Sequence, residues 1–250
     1  VGGGTAGGMA AAPLAQRLRQ GPGQPCEIVL VESPEIGTVG VGEATLPTIR
    51  HYNQSLGLDG VDFMRRTQAS FKLGIEFCDW GRVGHRFFHG FGDFGPRIEN
   101  RSPHLHWLRL QRSGGMRSYE EWSMATAMAL NGRFTPPQGS TPSAANAYSY
   151  AIHFDAGLYA AYLREYAVAR GAERIEGTIT NVELRPEDGF VAAVHLKDGR
   201  RVEGDLLVLL DPRQAPELLP GRPRRRGSRP PPSPARGASG SAESPCDCPR

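Results

Sequence analysis

The sequence predicts an α/β protein: a doubly wound, Rossmann-like parallel sheet joined to an antiparallel β-meander. Three stretches carry the prediction. The glycine run VGGGTAGG opens directly onto an alanine- and leucine-rich segment, the composition of a tight loop feeding a helix. CEIVLVE (26–32) is a β-branched run ending in an acid, which is how a strand buried on both faces reads. From Arg174 to Val208, strand-like segments are separated by Asp188-Gly189 and Asp198-Gly199, pairs suited to closing hairpins.

The elements follow in order. A helix leaves the first glycine loop, and CEIVLVE returns as a parallel strand. GTVGVGEATLP (37–47) is a second glycine loop, followed by a short helix over 47–57. In FKLGIEFCDW, Phe71, Leu73, Ile75 and Phe77 alternate with Lys72, Gly74, Glu76 and Cys78, the period of one half-buried strand. Lys72 then falls on the wet face, with Glu76 on that face as a possible partner. Residues 81–101, rich in Gly, Phe and His, read as an ordered loop or irregular strand. Residues 103–150 are mixed, with a Pro/Ser/Ala-rich loop at 135–147. HFDAGLYAAYLREYAVARGAE (153–173) reads as a helix that Asp155 caps and Gly171 ends. RIEGTITNVEL, FVAAVHLKDG and RRVEGDLLV read as three meander strands.

After Val208 the chain turns to Pro, Arg, Gly and Ser. Such a segment buries too little apolar surface to offset chain entropy, so 209–250 reads as a disordered tail beyond a domain at 1–208. It is either a natural basic tail or out-of-frame translation. The strand that should precede Gly2 is represented by Val1 alone, so the fold is expected to be truncated at both ends.

A net charge of +3 in 250 residues argues neither for nor against nucleic acid. The arginines of the tail, spaced by Pro and Gly, offer no stacking platform, so no nucleic-acid partner is expected. No run reaches the roughly 18–20 apolar residues of a membrane span, and no secretory signal is visible. Four cysteines, two of them Cys246 and Cys248, are too few and scattered for a disulfide framework. The expectation is a reduced, cytoplasmic protein without a membrane partner. His85, His104 and His106 lack an acid or cysteine at ligand spacing, so no metal is expected.

The chemistry starts at Gly2, Gly4 and Gly7, which form G-x-G-x-x-G at the mouth of a helix. Gly2 suits a tight turn, Gly4 a close approach to a pyrophosphate, and Gly7 close helix packing, with the phosphates at the helix N-terminus. Glu32, at the end of the next strand, can accept hydrogen bonds from ribose hydroxyls. The pattern does not itself separate FAD from NAD. The second glycine loop, just past the ribose acid, is placed to reach a flavin.

GGGTAGG, GVGEATLP, FKLGIEFCDW, FFHGFGDFG and HFDAGL, in that order, resemble the flavin-dependent tryptophan halogenases from Val1 to about Val208. The resemblance implies an FAD-binding domain of the glutathione-reductase type. It implies FAD, its reduced form supplied by a separate flavin reductase, with O2 and a halide as co-substrates. Hypohalous acid then reaches a lysine, by hydrogen bond or as a haloamine, beside an aromatic small-molecule substrate. The matching lysine is Lys72. Gly3, Thr5, Ala6, Ser33, Val41, Ala44 and Ile179 match positions near FAD, and His89 and Phe91 match positions that sandwich the substrate ring. Gly8 stands where many members carry tryptophan. Members continue past Val208 with an acid–Cys/Thr–Gly stretch, a W-x-W-x-I-P segment and a glutamate that works with the lysine; this sequence has none of them. Two alternatives stand: a related FAD monooxygenase, and a non-catalytic nucleotide-binding fragment with a basic tail.

Overall fold

The computed structural model describes residues 2–19, 26–33, 35, 42–114, 117–139, 141, 143–208 and 210. The glycine loop enters α1 (Thr5–Leu14), which continues as a short π-helical turn, Ala15–Arg19. There follow β1 (Val29–Glu32), β2 (Gly42–Ala44), α2 (Thr48–Ser55), α3 (Gly60–Arg66), β3 (Ser70–Lys72), β4 (Gly74–Cys78) and β5 (Arg86–Gly90). Then come α4 (Pro103–Arg112), a 3-10 turn at Tyr119–Trp122, α5 (Met124–Leu130), β6 (Ala151–Asp155) and α6 (Ala156–Val168). The chain ends its described course in β7 (Glu173–Glu176), β8 (Ile179–Leu184), β9 (Val191–Leu196) and β10 (Arg201–Glu203).

β1 pairs in parallel with β7, register Val29 to Glu173. α1 and α6 pack beside this pair, with Ala11, Ala15, Leu30, Ala167 and Ala172 in one apolar cluster. β6 is the middle strand of a second sheet, antiparallel to β2 on one edge and to β3 on the other. β4 and β5 form a hairpin, and β8, β9 and β10 form the expected meander. Gly189 and Gly199 take φ of +72° and +88° in its turns, a region open to glycine at little cost. Val31 of β1 packs into the meander with Val182, Val194 and Leu196.

The main core lies where α6 meets α2 and α3. Phe63 is 2% exposed, with the rings of Phe154 and Tyr159 edge-on at 5.8 and 5.4 Å, the geometry aromatic quadrupoles favour. Buried tyrosines need a partner for the hydroxyl. Tyr159 donates to Asn53 Oδ1 at 2.6 Å and Tyr166 to the carbonyl of Leu56 at 2.6 Å. These bonds fasten α6 to α2 as well as burying it.

Four sequence expectations change in detail. FKLGIEFCDW is two strands in different sheets, because the Leu73 carbonyl leaves the ladder and accepts from the Phe91 N–H at 2.8 Å. HFD belongs to β6 rather than to the helix; Asp155 ends the strand and its carboxylate accepts from Leu158 N at 2.8 Å as the cap of α6. RIEGTITNVEL divides at Gly177 into β7, which joins β1, and β8, which starts the meander. The mixed stretch 103–150 holds α4 and α5, capped by Ser102 and Ser123. Val1, Val41 and the tail from 211 onward lie outside the described residues.

Phe63→Ala should cost about 3–5 kcal/mol, since it empties a closed aromatic cluster. Trp80, 74% exposed at the β4–β5 end, should change stability on alanine substitution by no more than about 0.5 kcal/mol. Urea unfolding of both variants checks the pair.

Candidate active site

The first cluster of predicted site residues is built on the glycine loop before α1. The N–H of Gly2 donates to the Val31 carbonyl at 2.9 Å, tying the loop to β1. Gly7 packs so tightly that a Cβ there would lie 1.6 Å from the Gly2 carbonyl oxygen. Gly3 faces Glu32: a Cβ there would sit 2.0 Å from its Oε2. Any side chain at either position would push the loop off the strand. Thr5 Oγ1 donates to the Ala156 carbonyl at 3.1 Å, joining the start of α1 to the start of α6, and Ala6 is exposed.

Glu32 is 7% exposed. It forms an ion pair with Arg164 of α6 at 3.1 Å and a second with Arg174 of β7. Buried carboxylates require such partners. The sequence offered no signal for these arginines, because their approach depends on the β1–β7 pairing and on the packing of α6. Ser33 and Thr178 share a hydroxyl–hydroxyl bond at 2.7 Å. Ile179, next to Thr178, is buried with Val31, Val182, Val194 and Leu196, so its side chain serves the core.

The second cluster lies on the β2–β6–β3 sheet. Lys72 is 8% exposed, whereas Phe71 is 43% exposed. This reverses the burial expected from the alternation, although Phe71, the register partner of Ile152, keeps to the face of the buried Ile152 and Phe154. Phe71 lies at the edge of that face and stacks on Phe134 at 3.6 Å, with Tyr150 edge-on; both partners come from the stretch before β6, which no short-range period reveals. Lys72 is covered on the other face. Its Nζ donates to the Thr45 carbonyl at 3.0 Å and lies 5.5 Å from the centre of the Phe91 ring. Phe91 is itself buried. Desolvation lowers the Lys72 pKa below the ordinary lysine value. The partner anticipated for it, Glu76, instead bonds Arg86 at 2.8 Å across the β4–β5 hairpin.

His153 of β6 pairs in register with both Ala44 and Ser70. Directly opposed and alternate residues share one sheet face, so His153, Ala44 and Lys72 lie on the same side. Desolvation, and after it the charge of Lys72, lowers the His153 pKa. Ala44 is exposed on β2. His89 is exposed on β5, opposite Ile75. The structure thus joins Lys72 to Phe91, Gly3 to Glu32, and Ser33 to the threshold of Ile179. Thr45 and His153 were not singled out, though both stand inside quoted motifs, GVGEATLP and HFDAGL. Among the described residues, no three His, Cys, Asp or Glu converge as a metal site, and no helix is long and apolar enough to cross a membrane.

The sequence model of tryptophan halogenases matches residues 1–209. The chain belongs to the tryptophan halogenase family. It is 34% identical over 225 residues to the tryptophan 6-halogenase ThaL of Streptomyces albogriseolus, covering 83% of this chain and 41% of that one. Among solved structures it is similar to BrvH, a flavin-dependent halogenase from Brevundimonas sp. BAL3, with 48% identity and a TM-score of 0.73. A flavin-dependent halogenase from Xanthomonas campestris gives 41% identity and the same TM-score. Each of these two matches covers 82% of this chain and 40% of the other. The chain therefore spans about two fifths of the halogenases it matches.

Two outcomes test this geometry. Glu32→Gln weakens both arginine contacts and should destabilise the fold by about 1–3 kcal/mol in urea titration. The pH–rate curve for acylation of Lys72 should have its midpoint below the ordinary lysine value, because desolvation disfavours its charged form; peptide mass spectrometry reads it.

Proposed function

We propose that this stretch is the flavin-binding, lysine-bearing part of a cytoplasmic flavin-dependent halogenase. Its substrate is tryptophan or another electron-rich aromatic, with a halide and O2 as co-substrates. The observation that carries the reading is Lys72, buried between a main-chain carbonyl and the face of Phe91. Its sheet is shared with β2, which emerges from the second glycine loop.

The residues present fit FAD. The N-terminus of α1 is capped by Gly4, without a side-chain cap and without an acid in its first turn. Its free N–H groups and dipole therefore suit a pyrophosphate. α3, α4, α5 and α6 are each closed by an Asp or Ser side chain, whereas α2, entered through Pro47, is uncapped like α1 but has no glycine immediately before it. Gly2, Gly3, Gly4, Thr5, Ala6 and Gly7 would hold the phosphates. Glu32 would take the ribose while it keeps its arginines, since a carboxylate has about four acceptor sites. Ser33, Val41 and Ala44 complete the FAD-binding set, whereas the Ile179 side chain is taken up by the core, and residues 1–208 form the domain that carries the site. Bound FAD, reduced by a separate flavin reductase, supplies with O2 the oxidising power that turns halide into hypohalous acid.

Lys72 then acts at its Nζ. In the neutral amine the nitrogen lone pair attacks the halogen. An N–halogen bond forms and the O–halogen bond breaks, and the departing hydroxide leaves with an amine proton as water. In the charged form the ammonium donates a hydrogen bond that polarises the same O–halogen bond. A lowered pKa raises the share of the neutral form. Phe91 supplies an apolar wall that keeps water from the amine, and His89 joins it against the flat face of the substrate.

The test incubates the chain with FAD, a flavin reductase, O2, bromide and tryptophan or indole. A brominated product that requires bromide is expected. Lys72→Ala should lower its formation by about a hundredfold or more, with FAD binding, read by flavin fluorescence, unchanged. A hydroxylated product formed without halide would assign the site to a monooxygenase. FAD binding with no product of either kind would leave a nucleotide-binding segment and overturn the enzymatic reading for this chain.

A further inference from the structure

We infer that Thr45 is a positioning residue for Lys72: its side chain anchors the backbone whose carbonyl holds the lysine amine. The inference rests on the reading of Lys72 given above and adds the group that aims it.

β2 ends at Ala44, one residue before the carbonyl that Lys72 uses. Strand ends fray unless something beyond the ladder ties them. Here the tie is the Thr45 side chain. Its Oγ1 donates to the Ile152 carbonyl at 2.6 Å and accepts from the Ile152 N–H at 3.2 Å. The Thr45 N–H adds a bond to the same carbonyl at 3.3 Å. Three contacts thus converge on one residue of β6, and the third polar atom of Thr45, its carbonyl oxygen, is left to accept from Lys72 Nζ.

The anchor point is also tied to the lysine from the other side. Ile152 is the register partner of Phe71, and Ala151 that of Lys72. Thr45 and Lys72 therefore approach from opposite edges of β6 and are referenced to consecutive residues of it. That fixes the distance between carbonyl and amine more firmly than either strand could alone. Phe91, on the remaining side, has its own backbone fixed by Leu73 and by Ser149, at 2.8 Å each. The titratable neighbour on the sheet face is His153 of β6.

The sequence supports the choice of atom. Lys72 and Lys197 are the only lysines among 29 Lys and Arg residues. An arginine stays charged throughout the accessible pH range, whereas a lysine held by a carbonyl can be either donor or neutral amine. A single main-chain acceptor directs the amine without adding a fixed negative charge beside it.

The experiment uses the whole 250-residue chain as wild type, Thr45→Val and Thr45→Ser, with circular dichroism establishing that each is folded. Lys72 and Lys197 are acylated in competition at pH 7.5 and quantified by mass spectrometry. Loss of the anchored acceptor removes a bond that favours the charged form, so Thr45→Val should raise the Lys72:Lys197 ratio by about threefold, the change that half a pKa unit gives. Thr45→Ser, which keeps the hydroxyl, should stay within about twofold of wild type on the same scale. An unchanged or lower ratio in Thr45→Val, or an equal rise in Thr45→Ser, overturns the inference. If Thr45→Val does not fold, Thr45→Ser and Thr45→Ala decide by the same comparison, with alanine taking the place of valine. The reading of Lys72 itself is tested separately by treating wild type with dilute hypobromite: bromination of Lys197 but not of Lys72 would sink that reading and leave the acylation result standing.

Discussion

The structure depends on β6 being paired along both edges. A strand with two neighbours fixes each of them in register, and here the neighbours come from the segments that matter chemically. β2 arrives from the second glycine loop and β3 delivers Lys72. Without β6 these short strands, three residues each, would have no stable partner; isolated short pairings are marginal in water. The setting of Lys72 is thus a consequence of sheet order, and only secondarily of any local feature around position 72.

The same element extends its influence through α6, which follows β6 without a connecting residue. α6 buries Tyr159 and Leu163 completely, meets α1 through Thr5 and Ala156, and sends Arg164 to Glu32. One continuous strand–helix unit therefore touches both halves of the site: the lysine cluster from its strand and the nucleotide loop from its helix. The glycine loop needs that backing. With no side chains of its own to pack, it is held by its bond to Val31 and by Gly7 lying flat against Gly2.

Much of this was legible in the sequence, and the limits have physical causes. The glycine loop, β1, α6 and the meander are written in local patterns: φ-permissive glycines, a β-branched run, a capped helix and Asp-Gly turns. The order of quoted motifs pointed to the family that the comparisons then showed. What failed was the burial of Lys72. Alternation separates two faces but does not say how well each position on them is covered: Lys72 is 8% exposed, while Phe71, at the edge of the face that holds Ile152 and Phe154, is sheltered by Phe134 and Tyr150 from a distant stretch. For the same reason Glu76 could not be assigned to Arg86, nor Glu32 to Arg164 and Arg174. Those pairings are set by strand partners far apart in sequence. The helices α4 and α5 were not separated within 103–150, although Ser102 and Ser123 mark their starts and α5 reads MATAMAL.

Asp155 is the last residue of β6 and the cap of α6 at once. A junction with no slack transmits any change in its length. One residue inserted there would shift α6 by about 100° around its axis, turning Tyr159 and Leu163 from the core and Arg164 from Glu32 together. The stretch 131–147 between α5 and β6 carries no helix or strand among its described residues and can absorb additions as loops do. Length change in this fold is therefore constrained unevenly: an insertion beyond Phe134 on the route into β6 leaves β6 and α6 in register, while the step out of β6 is locked to a single residue.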